Sequence, residues 1–237
     1  MQGMQTRRRL TRILTALATV GAAAALVAGC SASSSSASLP DAPGLLQQSA
    51  QTTKGLKSGH LDITVTGSIE GLPIKKLSGD LTNVPATAVQ GNATISMGGS
   101  DVDIQLVVID NILYASLTPN SWLDMGPAAD IYDPSAILNP DTGLANILAG
   151  FSDAKSEATE TVNGVATVRV TGNVSADAVN KLIPQIKATA AMPGTAWIEK
   201  DGDHNLVQAK LDPSSGNSIQ MTLSDWNKPV TVTKPAV

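Results

Sequence analysis

The chain has very few of the residue types on which several large functional classes depend. Among its 237 residues it holds one cysteine, two histidines and six aromatic residues. A single cysteine excludes an intramolecular disulfide, and His60 and His204 alone offer little to a metal or catalytic site. No Gly-x-Ser-x-Gly, P-loop, Gly-x-Gly-x-x-Gly or His-Glu-x-x-His motif occurs. We therefore expect no enzyme, no cofactor and no metal, and a Ser-His-Asp group assembled from scattered residues stays the enzymatic alternative.

The first residues also lack acidic side chains, and they read as an export signal. Four arginines between Arg7 and Arg12 precede an almost wholly apolar run over residues 13–28. A basic start, an apolar stretch and small residues at its end are typical of a secretory signal peptide, which we predict over residues 1–29. The alternative is a membrane-spanning helix, although the run is shorter than the ~20 residues that such a helix needs.

The lone cysteine follows directly on that apolar run. Leu26-Val27-Ala28-Gly29-Cys30 matches the bacterial lipobox, in which the cysteine is lipidated and becomes the first residue of the mature chain. Serine dominates the next eight residues, and such a polar segment behaves as a flexible tether. We therefore predict a lipid anchor at Cys30 and a tether over residues 30–39 that extends at most about 30 Å.

The mature chain is acidic. All twenty acidic residues but only twelve of the sixteen basic residues lie after Cys30. An acidic chain without a basic cluster argues against nucleic acid as a partner and against electrostatic docking on anionic lipid headgroups. Residues 40–237 contain no linker that would divide them, and their number suits one domain with a sizeable core.

The hydrophobic pattern predicts one helix followed mainly by strands. A helix is expected over residues 41–57, and alternating runs at 61–66, 93–97, 102–106 and 112–115 predict strands. Gly98-Gly99-Ser100-Asp101 and Asp110-Asn111 are typical of the turns between them. Further strands are expected at 164–172, 195–200, 206–211 and 218–226, and further helices around 134–138, 143–149 and 175–183.

This order predicts a single α+β domain with a long, curved antiparallel sheet whose apolar face is covered by helices. A sheet that curves without being filled encloses an apolar cavity, and small aliphatic side chains leave room for one. The alternative is that the same side chains form an ordinary packed core. The candidate cavity lining is the apolar face of the predicted strands, namely Leu61, Ile63, Val65, Ala93, Ile95, Met97, Val102, Ile104, Leu106, Ile219, Met221 and Leu223.

Several long strings resemble a known family. They include Leu77-Ser78-Gly79-Asp80-Leu81, the run from Gly126 to Pro134, the run from Leu138 to Asn146, and Gln220-Met221-Thr222-Leu223-Ser224. Together with the lipobox they make the whole mature chain similar to the mycobacterial LppX/LprA/LprF-like lipoproteins. That family resembles the lipoprotein carriers LolA and LolB.

The resemblance implies a half-barrel sheet with helices on its concave side, around a cavity that holds acyl chains. The implied cargo is a triacylated glycolipid, such as lipoarabinomannan or a phosphatidylinositol mannoside, or triacylglycerol. The implied partners are a major-facilitator transporter of the inner membrane and host Toll-like receptor 2. The implied location is the inner membrane, where the lipid anchor holds the protein so that it faces the periplasm and cell wall. A fraction of the molecules is expected to be secreted. Ala93 matches a cavity position where the family can carry the larger Val.

We further expect the proline-rich segment 119–140 to border the cavity entrance, through Trp122, Met125 and Tyr132. Two other functional classes stay open on the sequence alone. One is a structural or adhesive surface lipoprotein with a packed core and no cargo. The other is a degenerate hydrolase acting on envelope lipids.

Overall fold

The computed structural model describes residues 38–119 and 121–237, which contain one large antiparallel sheet. The predicted signal peptide and Cys30 lie outside the described residues. Eleven strands stand in the order β6-β5-β4-β3-β2-β1-β11-β10-β9-β8-β7. The strands are β1 (Ser58–Thr66), β2 (Ile74–Thr82), β3 (Ala88–Met97), β4 (Ser100–Ile109), β5 (Ile112–Thr118), β6 (Ser121–Pro127), β7 (Phe151–Val162), β8 (Val165–Val174), β9 (Met192–Glu199), β10 (Leu206–Ser214) and β11 (Asn217–Ser224).

Tight turns connect β3 to β4 and β4 to β5, and the residues in these turns favour them. Gly98 and Gly99 join β3 to β4 with φ angles of 61° and 83°, and Asp110 and Asn111 join β4 to β5 with 55° and 63°. Two successive positive φ angles define the type I′ turn, whose twist matches that of the flanking strands. Both predicted hairpins are thereby confirmed.

Three α-helices form a layer against one side of this sheet: α1 (Ala42–Lys54), α2 (Leu144–Ala149) and α3 (Ala176–Leu182). Asp41 caps α1 by accepting a hydrogen bond from the Gly44 amide at 2.9 Å, and Ser175 caps α3 in the same way. Helix α1 contacts α2, β7 and β9, and α2 contacts α3. The helix layer therefore covers the half of the sheet that contains β7 to β9.

In the other half of the sheet, on β2 to β4, the burial of the apolar side chains changes along each strand. Leu81, Val89 and Leu106 are only 1%, 8% and 9% exposed, and all three belong to the main hydrophobic core. On the same strands and the same face, Leu77 and Ile104 are only partly buried, whereas Met97 is 54% exposed. The apolar face of β2–β4 is thus packed at one end and open at the other.

The C-terminal segment, residues 225–237, is held close to the start of β1 and to β5. The Asn227 amide donates to the Ser58 carbonyl oxygen at 2.9 Å, and the Ser58 hydroxyl donates to the Lys228 carbonyl oxygen at 2.6 Å. Lys234 then places its Nζ 5.5 Å from the centre of the buried Tyr114 ring. Their hydrogen bond raises the pKa of Lys234.

The α+β class and the curved antiparallel sheet are confirmed, but several elements differ from the sequence prediction. Strands β2, β6 and β7 were not predicted, and β6 occupies part of the segment for which only two short helices were expected. The first of those helices is a single 3₁₀ turn at Pro134–Ala136. Helix α1 ends at Lys54, three residues early, because Gly55 and Leu56 close the turn by donating to the carbonyl oxygens of Thr52 and Thr53.

Candidate apolar binding groove

A row of apolar side chains crosses strands β1 to β5. Ile63 lies opposite Leu77, Leu77 opposite Ala93, and Ala93 opposite Ile104. Gln105 pairs with Ser116, which brings Ile104 beside Leu117 on the next strand. Because paired residues in an antiparallel sheet point to the same face, these five side chains form one continuous stripe.

A groove of about 500 Å³ follows this row. The five apolar residues, the residues next to them on each strand and Pro119 line it. The volume lies within the range of about 300–1,000 Å³ that small-molecule sites occupy. The groove is open rather than enclosed, which differs from the closed cavity expected from the sequence, because the helix layer contacts β7 and β9 and leaves the far ends of β2–β5 uncovered.

Two facing glycines lie between the groove and the packed core. Gly79 on β2 pairs with Gly91 on β3, and their neighbours in the same row are Leu61 and Leu106. A Cβ atom at either glycine would collide with the backbone of the other strand. The two strands therefore need glycine here, and the sheet presents bare backbone beside the apolar row.

The residues predicted to line a cavity fall into three groups. Ile63, Ala93 and Ile104 line the groove. Ile95 and Val102 pair with each other and are half-buried, and Met97 is exposed at the end of β3. The remaining six are buried in the core, namely Leu61, Val65, Leu106, Ile219, Met221 and Leu223. Sequence reasoning missed Leu77 and Leu117, since β2 was not predicted and β5 was predicted to end at Ala115.

None of the three residues predicted at an entrance lines the groove. Trp122 lies on the edge strand β6 and pairs with Ser116 of β5, and Met125 is exposed further along β6. Tyr132 packs against the core, and its hydroxyl donates to the Leu182 carbonyl oxygen at 3.2 Å. Burial, followed by the nearby Asp133 carboxylate, raises the pKa of Tyr132. Placing these residues at an entrance stays a prediction.

A histidine cluster lies near the start of β1. His60 Nδ1 is 2.7 Å from Asp80 Oδ1, and His60 Nε2 is 3.3 Å from the Ser78 hydroxyl and 3.6 Å from Asp62 Oδ1. The Asp80 hydrogen bond raises the pKa of His60. Burial lowers this pKa by less, and the nearby Asp62 carboxylate raises it further. His60 is therefore held by hydrogen bonds to neighbouring side chains on β2. Ser78, His60 and Asp80 follow the hydrogen-bond order of a catalytic triad, but the Asp62 carboxylate also faces His60 Nε2, the atom that would have to accept the Ser78 proton.

The described part of the chain contains no cluster of three His, Cys, Asp or Glu side chains that could hold a metal ion. Across residues 38–119 and 121–237, the helices are too short or too polar to cross a bilayer.

This architecture, an open antiparallel sheet with a helix layer over one side, is that of a group of mycobacterial lipoproteins. The crystal structure of LprF from Mycobacterium bovis matches it with a TM-score of 0.76 and 30% identity, over 84% of this chain and all of that chain. The LppX_LprAFG lipoprotein model matches residues 41–232. The chain belongs to the LppX_LprAFG lipoprotein family, as its sequence strings indicated.

Two full-length relatives have names that state a role. The protein of Mycobacterium tuberculosis strain H37Rv is 56% identical over 236 residues, covering 99% of this chain and all of the relative. The protein of Mycolicibacterium smegmatis is 57% identical over 237 residues, covering 98% of this chain and all of the relative. Both relatives are named lipoarabinomannan carrier protein LprG.

Proposed function

We propose that this chain is a carrier of acylated lipids or glycolipids, and that the groove over Ile63, Leu77, Ala93, Ile104 and Leu117 holds acyl chain. The observation that carries the proposal is the apolar stripe itself, which a packed structural domain would cover with its own side chains. Its full-length relatives are named as carriers of a glycolipid, lipoarabinomannan. Binding an acyl chain requires apolar surface and no reacting group, which fits relatives that are named as carriers.

The size of the groove limits how much cargo it holds as it stands. If a methylene takes about the space of a water molecule, about 30 Å³, the groove accommodates about seventeen methylenes, or one long acyl chain. A triacylated glycolipid or triacylglycerol, which we propose as the cargo, therefore needs the groove to widen. The uncovered ends of β2–β5 are the side on which it can do so without unpacking the core.

Energetics decide what the carrier competes with. Each methylene removed from water contributes about 0.8 kcal/mol, so three chains of about sixteen carbons would contribute roughly 38 kcal/mol. No non-covalent affinity approaches that value. The relevant competitor is the bilayer, against which an apolar groove has little net preference, and cargo can therefore be both collected and released.

We propose that this exchange takes place at the inner membrane, where the Cys30 lipid holds the protein, and that a major-facilitator transporter supplies or accepts the cargo. We further propose that host Toll-like receptor 2 recognises the acylated protein.

Native mass spectrometry of the mature chain with Cys30→Ser tests the carrier function. The chain, purified from a mycobacterial host, is measured before and after delipidation and again after incubation with a triacylated phosphatidylinositol mannoside in detergent. We expect adducts of lipid mass that disappear on delipidation and return on reloading. In Ala93→Trp, the indole fills the middle of the groove, and the adducts should be lost.

Ala166→Trp is the matched control, because Ala166 is exposed on β8 and does not line the groove. It should load as the parent chain does. A parent chain that shows no adduct and takes up no added lipid would establish instead a structural or adhesive lipoprotein. Equal loading of both tryptophan variants would mean that acyl chains bind elsewhere.

A further inference from the structure

The apolar face that lines the groove continues to one end of the sheet, where two hairpins project. Met97 lies at the end of β3, next to the turn Gly98-Gly99, and Leu117 lies at the end of β5. Leu123 on β6 pairs with Ala115, on the same face as Leu117. Met97, Leu117 and Leu123 are 54%, 50% and 53% exposed. We call these three residues, together with Trp122 on the opposite face of β6, the apolar tip.

The apolar tip carries no charge. Residues 97–100, 117–119 and 121–123, which lie at the two hairpin ends, contain no Asp, Glu, Lys or Arg. Trp122, half-buried and one residue beyond the start of β6, is of the residue type enriched at the boundary between acyl chains and headgroups. An uncharged apolar surface with a flanking indole suits the interface of a bilayer, whereas a site for an anionic surface would need lysine or arginine.

The tether length also permits this contact. From Cys30 to Ser38 the chain spans at most about 28 Å. Pro40 is fixed beside β7, because its carbonyl oxygen accepts a hydrogen bond from the Ser156 hydroxyl at 2.6 Å. Ser156 is five residues from Phe151, the end of β7 on the side of the sheet where the apolar tip lies, which is about 17 Å along the strand. The tether is longer than this distance along the strand, so a lipid on Cys30 can stay in the bilayer when this end of the sheet faces it, although β7 and β6 are opposite edges of the sheet.

We propose that the apolar tip docks on the acyl region of a bilayer and sets the mouth of the groove against the membrane. The inference rests on the proposed carrier function and adds the place where cargo enters and leaves. The apolar row from Ile63 to Leu117 then leads towards the lipid tails, and the charged residues of the lining, Asp62, Lys76 and Asp103, alternate with it along the strands. Docking driven by apolar area should not depend on salt, since screening weakens only interactions between charges.

Cosedimentation of the mature Cys30→Ser chain with phosphatidylcholine vesicles tests docking. We expect binding that is equal at low and high salt and is not increased by anionic phosphatidylglycerol. Met97→Ser and Leu123→Ser should each lower the partition coefficient by about fivefold, because about half of each side chain remains to be buried. Val84→Ser is the matched control, since Val84 is 54% exposed at the opposite end of the sheet, and it should bind as the parent chain does.

Loading measurements separate this proposal from the carrier function. Met97→Ser and Leu123→Ser lie outside the groove lining, so they should load normally from detergent and slowly from vesicles. Tip-dependent vesicle binding by a chain that never takes up lipid would refute the carrier function and keep the docking surface. Docking is refuted if the parent chain does not bind phosphatidylcholine, if Val84→Ser lowers binding equally, or if binding requires anionic lipid and disappears in salt.

Discussion

Two leucines on the same strand and the same face should differ widely in what they contribute to stability. Leu81 is 1% exposed and belongs to the core, whereas Leu77, four residues earlier on β2, is partly buried and lines the groove. Truncation of Leu81 to alanine leaves a void in packed surroundings, and we expect a loss of about 3 kcal/mol in the free energy of unfolding. Truncation of Leu77 only enlarges a groove that is already open, so it should cost about 1 kcal/mol.

Urea unfolding of the delipidated mature chain, followed by tryptophan fluorescence, measures both values. The same measurement on lipid-loaded protein should show a larger cost for Leu77→Ala, since its side chain is then buried against cargo, and an unchanged cost for Leu81→Ala. If the two variants lose equal stability without lipid, the end of β2 is packed in solution. The open groove, and the reasoning that rests on it, would then be wrong.

Three further predictions concern stability. The pKa of His60 in the folded chain is raised above 6.5, so the stabilisation by Asp80 is fully present below pH 6.5 and is lost as the pH rises through the folded pKa. The loss in free energy of unfolding caused by His60→Asn, measured with urea, should therefore shrink from pH 6 to pH 9. A loss that stays constant with pH would contradict the Asp80 contact as its cause. Asp41→Ala removes the cap of α1 and should cost about 1 kcal/mol, whereas Asp41→Asn should cost much less. Gly143→Ala would press a Cβ against the carbonyl oxygens of Ile137, Ala136 and Asn139 and should lower the melting temperature, and an unchanged value would show that this loop yields freely.

Strands with regular alternation were predictable from the sequence, and strands whose apolar residues are sparse or spaced by three and four residues were not. Strands β1, β3 and β4 alternate apolar and polar residues and end in glycine or Asp-Asn turns, which made both the strands and their hairpins readable. Strand β7 instead places Ala154, Ala158 and Val162 four residues apart, a helical spacing. Residues four apart also share one face of a strand, so this spacing does not distinguish a strand from a helix, and no single-sequence pattern indicates the two bulges in the pairing of β7 with β8.

The candidate groove was only partly predictable for the same reason. Alternation alone gave Ile63, Ala93 and Ile104 one face, but it could not separate lining from core. Whether an apolar residue is covered depends on where the helices pack, and the helix layer lies on the β7–β9 side for reasons of tertiary packing. Leu77 was missed because Ile74, Leu77 and Leu81 are spaced by three and four residues around a bulge and Gly79.

The strand order has a consequence for how this chain folds. Strands β1 to β6 form one meander and β7 to β11 another, and the pairing of β1 with β11 is the seam between them. Within each meander every pairing joins neighbours in sequence, whereas the seam joins residues such as Ile63 and Met221 from opposite ends of the domain. Closing so long a loop is slow compared with forming local hairpins. The two meanders should therefore acquire structure separately, and a chain cut between β6 and β7 should reassemble from its two fragments through that central seam and through the packing of α1 on α2, β7 and β9.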